Sequence, residues 1–133
     1  MRFLLDTGIV SDLVRHPDGL VARRIAEVGV EQVCTSIIVA AELRYGAAKK
    51  RSPSLTERIE GVLARLEVLA FQPPADRHYG DLRSYLESIG RTIGQNDLLI
   101  AAHARSLGYI IVTDNVREFS RAPELRVENW LRS

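Results

Sequence analysis

This sequence predicts an α/β fold, a central and mostly parallel sheet flanked by helices. Two observations carry that expectation. Short, apolar, β-prone runs alternate with longer stretches of helical periodicity, the pattern of strands joined by helical crossovers. The chain has 133 residues, 46% of them hydrophobic and 26% charged, which suits one domain over 1–133 with its own core. No internal repeat, linker or low-complexity segment interrupts the alternation.

The elements follow in order. Residues 2–5 read as a buried strand. Thr7 or Ser11 is placed to cap the next helix, which Pro17-Asp18-Gly19 stops. Residues 20–29 read as a helix ending at Gly29, and Gln32–Thr35 as a short strand. Ser36 suits the N-cap of a helix over 37–50. Leu55, Ile59, Val62, Leu63 and Leu66 mark an amphipathic helix over 54–67. Val68–Phe71 reads as a strand halted by Pro73-Pro74, and 75–89 as a helix with Tyr79, Leu82, Tyr85, Leu86 and Ile89 on one side. After a turn at Gly90–Gly94, an apolar helix spans 97–107, a buried strand 109–113, a short helical segment 115–120 and a last strand 125–128.

Composition narrows the class. There is no run of about 18 apolar residues, so no membrane span is expected. The first residues lack the long apolar core of a signal peptide, and a cytoplasmic location is expected. Cys34 is the sole cysteine, which excludes an internal disulfide and zinc sites built on two or more thiolates. It reads as a small apolar strand residue. The net charge of +1 does not by itself announce nucleic-acid binding. The positive residues are uneven, however: Arg23-Arg24, Arg44, Lys49-Lys50-Arg51, Arg58 and Arg65 permit a basic face, although each one singly reads as a solvated helix position.

Four acids stand where a soluble chain normally keeps carboxylates away. Asp6 ends the first strand, Glu42 interrupts Ile37–Ala41, Asp97 opens Leu98–Ala102 and Asp114 closes Tyr109–Thr113. Singly, Asp6 and Asp97 read as helix caps and Asp114 as a turn residue. Glu42 is less easily dismissed, because helical spacing puts it on one face with Ile38, Ala41 and Tyr45. Jointly they predict an anionic pocket beyond the carboxyl ends of the strands, where parallel sheets bind ligands. Oxygen ligands without a histidine or thiol suit Mg²⁺, with Mn²⁺ as a substitute. His16, His78 and His103 form no metal-spaced pair and read as structural or surface residues.

Two competing motifs have to be met. Leu4-Leu5-Asp6-Thr7-Gly8 matches the signature of retroviral-type aspartic proteases, and Ile93–Asn96 loosely echoes their second stretch. Those enzymes are built of strands with a flap hairpin, whereas the middle of this chain has helical stripes. The protease is a remote alternative. A phosphatase with an aspartate nucleophile would have a second aspartate two residues on, where Gly8 stands.

Taken together, Leu4-Leu5-Asp6-Thr7, Ile38–Gly46, Ile93–Ala104, Val112–Asn115 with Glu118-Phe119, and Val127–Trp130 resemble the PIN-domain ribonuclease toxins of the VapC type, from bacterial type II toxin–antitoxin pairs. The likeness runs from Leu4 to Trp130. It implies a three-layer PIN-like sandwich and a Mg²⁺- or Mn²⁺-dependent endoribonuclease. Asp6, Glu42, Asp97 and Asp114 would form the metal site, Thr113 would be a catalytic hydroxyl, and Asn96 and Thr7 would support it. The RNA substrate implied is transfer RNA, with initiator transfer RNA leading. A cognate antitoxin would neutralise the toxin, and homodimers and toxin–antitoxin hetero-oligomers are expected. An apolar groove lined by early helices is implied for the antitoxin, and Ile9, Val10, Leu13, Val14, Leu55, Ile59 and Leu63 are its expected lining. The family usually has asparagine after the Asp-Thr pair, and here Gly8 stands there. The alternative that this departure supports is a catalytically impaired module serving mainly to bind antitoxin.

Overall fold

Five strands, β1 (Phe3–Leu5), β2 (Val33–Ser36), β3 (Glu67–Leu69), β4 (Ile110–Val112) and β5 (Val127–Glu128), form one sheet in the order β3-β2-β1-β4-β5. Every neighbouring pair is parallel. This computed structural model describes residues 1–132, so position 133 lies outside the described residues. The helices are α1 (Thr7–Arg15), α2 (Leu20–Val28), α3 (Ile37–Lys50), α4 (Pro53–Arg65), α5 (Ala75–Ser88), α6 (Gln95–Leu107) and α7 (Val116–Phe119), with a 3-10 turn at Val30–Gln32.

β1 is the central strand. Leu4 lies opposite Cys34 on one side and Ile111 on the other, and Leu5 opposite Thr35 and Val112. Leu4, Leu5, Cys34, Ile111 and Val112 are completely buried. A strand covered on both faces has no polar side, so these runs are continuously apolar. From β1 the chain steps outward to β2 and β3, then crosses back to β4 and β5. Right-handed crossovers therefore put α1–α4 on one face of the sheet and α5 and α6 on the other. The packing agrees: α1, α3 and α4 touch one another, and α5 lies chiefly against α6.

Several boundaries differ from expectation for identifiable reasons. The cap of α1 is neither Thr7 nor Ser11. Asp6 has extended backbone and its Oδ1 accepts from Ile9 N at 2.9 Å. α6 begins at Gln95 rather than 97, because extended Gly94 releases the chain into the helix two residues earlier. Ser36 caps α3 as expected, accepting from Ile38 N at 3.0 Å. The buried face of α3 is Val39, Ala40, Leu43 and Ala47, while Ala41 and Tyr45 are exposed. Glu42 therefore sits at the rim of the packed face rather than within a buried apolar stripe.

The expected groove lining needs a larger correction. Ile9, Val10, Val14, Ile59 and Leu63 are buried core residues of this subunit, at most 5% exposed. Their helical stripes face the sheet, and burial at home leaves nothing for a partner. Leu13 and Leu55 are only partly buried. Leu13 borders a surface depression of about 220 Å³ together with Ala22, Ile25, Val30 and Val62, an apolar hollow where α1, α2 and α4 meet.

Candidate active site

The crossover direction reverses at β1 and β4, the neighbours at which the strand order turns. The carboxyl ends of such a pair open a crevice that the sheet cannot fill. Asp6 leaves β1 there and Thr113 leaves β4 there, with Asp6 N bonded to Val112 O at 3.0 Å. Asp6 is 6% exposed and Thr113 is completely buried. The Thr113 side chain hydrogen-bonds the Asp6 carboxylate and also accepts from Asn115 N at 2.9 Å. Burial raises the Asp6 pKa above its ordinary value. The bonds from Thr113 and Ile9 N oppose the rise, and the charges of Glu42 and Asp114 add to it.

Glu42 reaches the crevice from α3. One carboxylate oxygen accepts from Thr7 Oγ1 at 2.5 Å and the other from Asn96 Nδ2 at 3.1 Å. Thr7 and Asn96 are thus placed beside the acids as expected, each through Glu42. Asp97 stands in the first turn of α6, which has no side-chain cap, so the helix-cap reading of this residue does not hold. Its pKa is pushed up to about 6, by burial first and then by the charges of Glu118, Asp6 and Glu42. A carboxylate held above its normal range by three others is one member of a shared anionic cluster.

Glu118 is the acid that sequence reasoning missed. It lies on α7 and accepts from Gly94 N at 2.7 Å and from the Asn115 side-chain amide, bonds that hold its pKa below the usual range. A Cβ placed on Gly94 would stand 3.8 Å from both Asp97 Oδ2 and Glu118 Oε1, so the two carboxylates flank one spot. The available signal was spacing: Glu118 follows Asn115 by three residues on a one-turn helix immediately beyond a strand end. Asp114 takes a different position. It is exposed, accepts from Asn129 Nδ2 at 2.9 Å and lies 3.9 Å from Arg132. Its charge still reaches Asp6, which makes it a rim residue rather than part of the cup.

Among the described residues no three acidic, histidine or cysteine side chains already converge at metal-holding distance. Thr7 and Asn96 donate to Glu42, Asn115 to Glu118 and Asn129 to Asp114. The donor set nonetheless fits a hard divalent cation, being all oxygen, anionic, and raised in pKa at its two most buried members. His103 lies beneath, 2% exposed, its Nδ1 2.8 Å from Ser36 Oγ, with burial lowering its pKa. That is a structural histidine, as expected.

Two arginines of the expected basic face are engaged elsewhere. Arg44 makes two 2.9 Å bonds to Glu60. Arg24 pairs with Glu27 and Glu128 and lies 5.4 Å from the Trp130 ring centre.

Comparison with known proteins agrees with this architecture. The PIN domain family matches residues 3–125. A curated Haemophilus influenzae protein named ribonuclease VapC2 is 42% identical over 133 residues, covering 98% of this chain and 99% of its own. A Shigella flexneri protein named tRNA(fMet)-specific endonuclease VapC is 39% identical, with 98% of each chain covered. Among solved structures, Rickettsia felis VapBC2 bound to a DNA fragment from its promoter superposes with a TM-score of 0.90 at 36% identity, over 98% of this chain and 99% of that one. Sheet order, the acids at its switch point and full-length similarity converge: the chain belongs to the PIN-domain family, among the VapC ribonucleases.

Proposed function

We propose that this protein is the toxin of a type II toxin–antitoxin pair, a divalent-metal-dependent endoribonuclease that cuts transfer RNA, with initiator transfer RNA as the first candidate. The observation that carries the chemistry is the gathering of Asp6, Glu42, Asp97 and Glu118 beyond the ends of β1 and β4, with Asp97 and Glu118 flanking Gly94 and Glu42 tied to Thr7 and Asn96. Asp6, Asp97, Glu42 and Glu118 would hold Mg²⁺, or Mn²⁺ in its place, with Asp114 contributing charge from the rim. Such an ion, when bound, offsets phosphate charge and lowers the pKa of a water for in-line attack on a phosphodiester.

The chain's own groups position the acids for this work. Thr113 and Ile9 N fix the rotamer of Asp6. Thr7 and Asn96 bridge to Glu42, which ties α1, α3 and α6 together at the crevice. Asn115 and Gly94 N hold Glu118 towards Asp97. Donors already aimed at their acceptors need not reorganise when charge develops, which is where electrostatic catalysis gains most.

The substrate proposal draws on the names of the Shigella flexneri and Salmonella typhimurium relatives. The antitoxin proposal draws on solved VapBC complexes, and the depression beside Leu13 is the surface offered for an apolar antitoxin segment. The test is incubation of purified protein with total transfer RNA in Mg²⁺, Mn²⁺ and EDTA, followed by sequencing of the cleavage ends. Cuts confined to one transfer RNA, dependent on metal and absent from Asp97→Asn, are expected. Cleavage that persists in EDTA would overturn the metal, and, in a parallel incubation with total cellular RNA, scattered cuts across messenger RNA would overturn the substrate. The rival reading, a module that binds antitoxin without cleaving, rests on Gly8 and predicts no cleavage in any of these conditions.

A further inference from the structure

We propose that Arg91, Arg117 and Arg121 form a ledge that grips the sugar–phosphate backbone of the RNA on the α7 side of the acids. This rests on the ribonuclease reading and adds to it the place where the strand lies. A concavity of about 290 Å³ is lined by Ile89, Arg91, Arg117, Ser120 and Arg121, three guanidinium groups and no carboxylate. In a chain whose net charge is only +1, three cations in one hollow are a local concentration.

Several arginines elsewhere are engaged in ion pairs, Arg2 with Glu67, Arg44 with Glu60, Arg83 with Glu87 and Arg105 with Glu124, while the other unpaired ones, such as Arg58 and Arg77, lie away from this hollow's lining. Arg91, Arg117 and Arg121 take part in none of the ion pairs among the described residues. Arg91 and Arg117 are exposed. The charge of these two is therefore free for an anion brought from solution, while that of Arg121 already reaches Glu118.

The ledge is continuous with the acids. Arg117 and Arg121 flank Glu118 in sequence, Arg117 on α7 and Arg121 in the turn that follows it, and both line the same hollow. Arg121 Nη1 donates to Thr92 O at 2.8 Å, and Glu118 accepts from Gly94 N, so α7 and the turn after it hold the 92–94 segment at two points just before Asp97. Cations beside an acidic cup solve an electrostatic problem. The carboxylates repel a polyanion, and the arginines supply the attraction that keeps the strand at the crevice. The chemistry recognised is a phosphate backbone without base preference, since guanidinium groups in an open hollow read charge rather than base edges.

The test compares Arg91→Glu/Arg117→Glu with Lys49→Glu/Lys50→Glu, a swap of equal charge on exposed residues at the end of α3, both in the Asp97→Asn background so that RNA stays intact. Arg121 is left alone because it holds Thr92. Binding of a fluorescein-labelled transcript of transfer-RNA length is measured by anisotropy over a range of salt. The ledge predicts at least tenfold weaker binding for the arginine pair, a salt dependence shallower by about 1–2 in log–log slope, and less than threefold weakening for the lysine pair. Arg91→Lys/Arg117→Lys should restore most of the affinity, and Arg91→Gln/Arg117→Gln gives the same comparison if the glutamate pair does not fold. Equal weakening by both swaps, unchanged binding, or a loss confined to antitoxin binding overturns the ledge. If the parent cleaves no RNA while the arginine pair alone loses binding, the ledge stands and the nuclease reading falls.

Discussion

Asp97 keeps its proton up to about pH 6 because burial and the charges of Glu118, Asp6 and Glu42 oppose ionisation. A carboxyl whose folded pKa exceeds its unfolded value stabilises the fold at low pH, and that contribution is lost as pH rises through the folded pKa. In metal-free protein, Asp97→Asn should therefore raise the melting temperature at pH 7 by about 3–6 °C, corresponding to roughly 1 kcal/mol, and the gain should vanish near pH 4. Calorimetric melts in EDTA at the two pH values check this, and a loss of stability at pH 7 would show that the side chain is structural. RNA cleavage by the same variant in Mg²⁺ should fall by about 10²-fold or more. Glu118→Gln should cost more activity than Asp114→Asn, because Glu118 flanks Asp97 while Asp114 is tied to Asn129 at the rim; side-by-side initial rates decide it. Gly8 is exposed, and a Cβ there would stand 3.7 Å from Asp6 Oδ1, an ordinary contact. Asparagine therefore fits, and its amide can donate to that carboxylate. Gly8→Asn should tighten Mn²⁺ binding about threefold or more and raise cleavage without changing the fold. Calorimetric titration showing equal or weaker binding would mean that glycine is no handicap here.

At the level of elements, sequence was most legible where chemistry and periodicity coincide. Ser36 followed by a helix over 37–50 is read from the sequence and stands in the structure, because the serine cap and the apolar run specify the same start. The strands were legible as short apolar runs, although β5 is only Val127–Glu128, half the expected length. Asp6 and Asp97 sit at element boundaries beside the strand ends, and Glu42 reaches them from the second turn of α3 through Thr7 and Asn96. The short helix at 115–120 and Glu118 itself were legible, but Glu118 was not assigned to the site because its role comes from tertiary contact with Gly94. The groove lining was misjudged for a related reason. A helical apolar stripe reports that a face is buried, not by whom. Ile59→Ala should accordingly cost about 2–5 kcal/mol in denaturant unfolding, as a core truncation. Leu13→Ala should cost under about 1.5 kcal/mol, since Leu13 is only partly buried. It should instead weaken antitoxin capture, and equal effects of both variants on stability would remove Leu13 from the docking surface.

Across the whole molecule, the parallel sheet does two things at once. Its buried strands supply the core, and the change of direction between β1 and β4 sets the ends of both strands at a topological switch point, where parallel sheets bind ligands. Helices from both faces then deliver acids to it: α3 from one side, α6 and α7 from the other. Carboxylates gathered this way are costly without a counter-charge, so proton and metal ion compete for the same relief. With a pKa of about 6, Asp97 is mostly ionised at pH 7 and mostly protonated at pH 5. That competition alone should lower Mn²⁺ affinity about tenfold between the two values, and the raised Asp6 pKa acts in the same direction. Bound metal stabilises the folded chain by mass action. The rise in melting temperature on adding Mn²⁺ should therefore be larger at pH 7 than at pH 5. In Asp97→Asn, affinity should be weaker and change less across this window, because the main competing proton site is gone. Titration calorimetry at the two pH values measures the effect directly. Affinity that does not change with pH in the parent would mean that metal binds away from Asp97, and the crevice would lose its claim to be the metal centre.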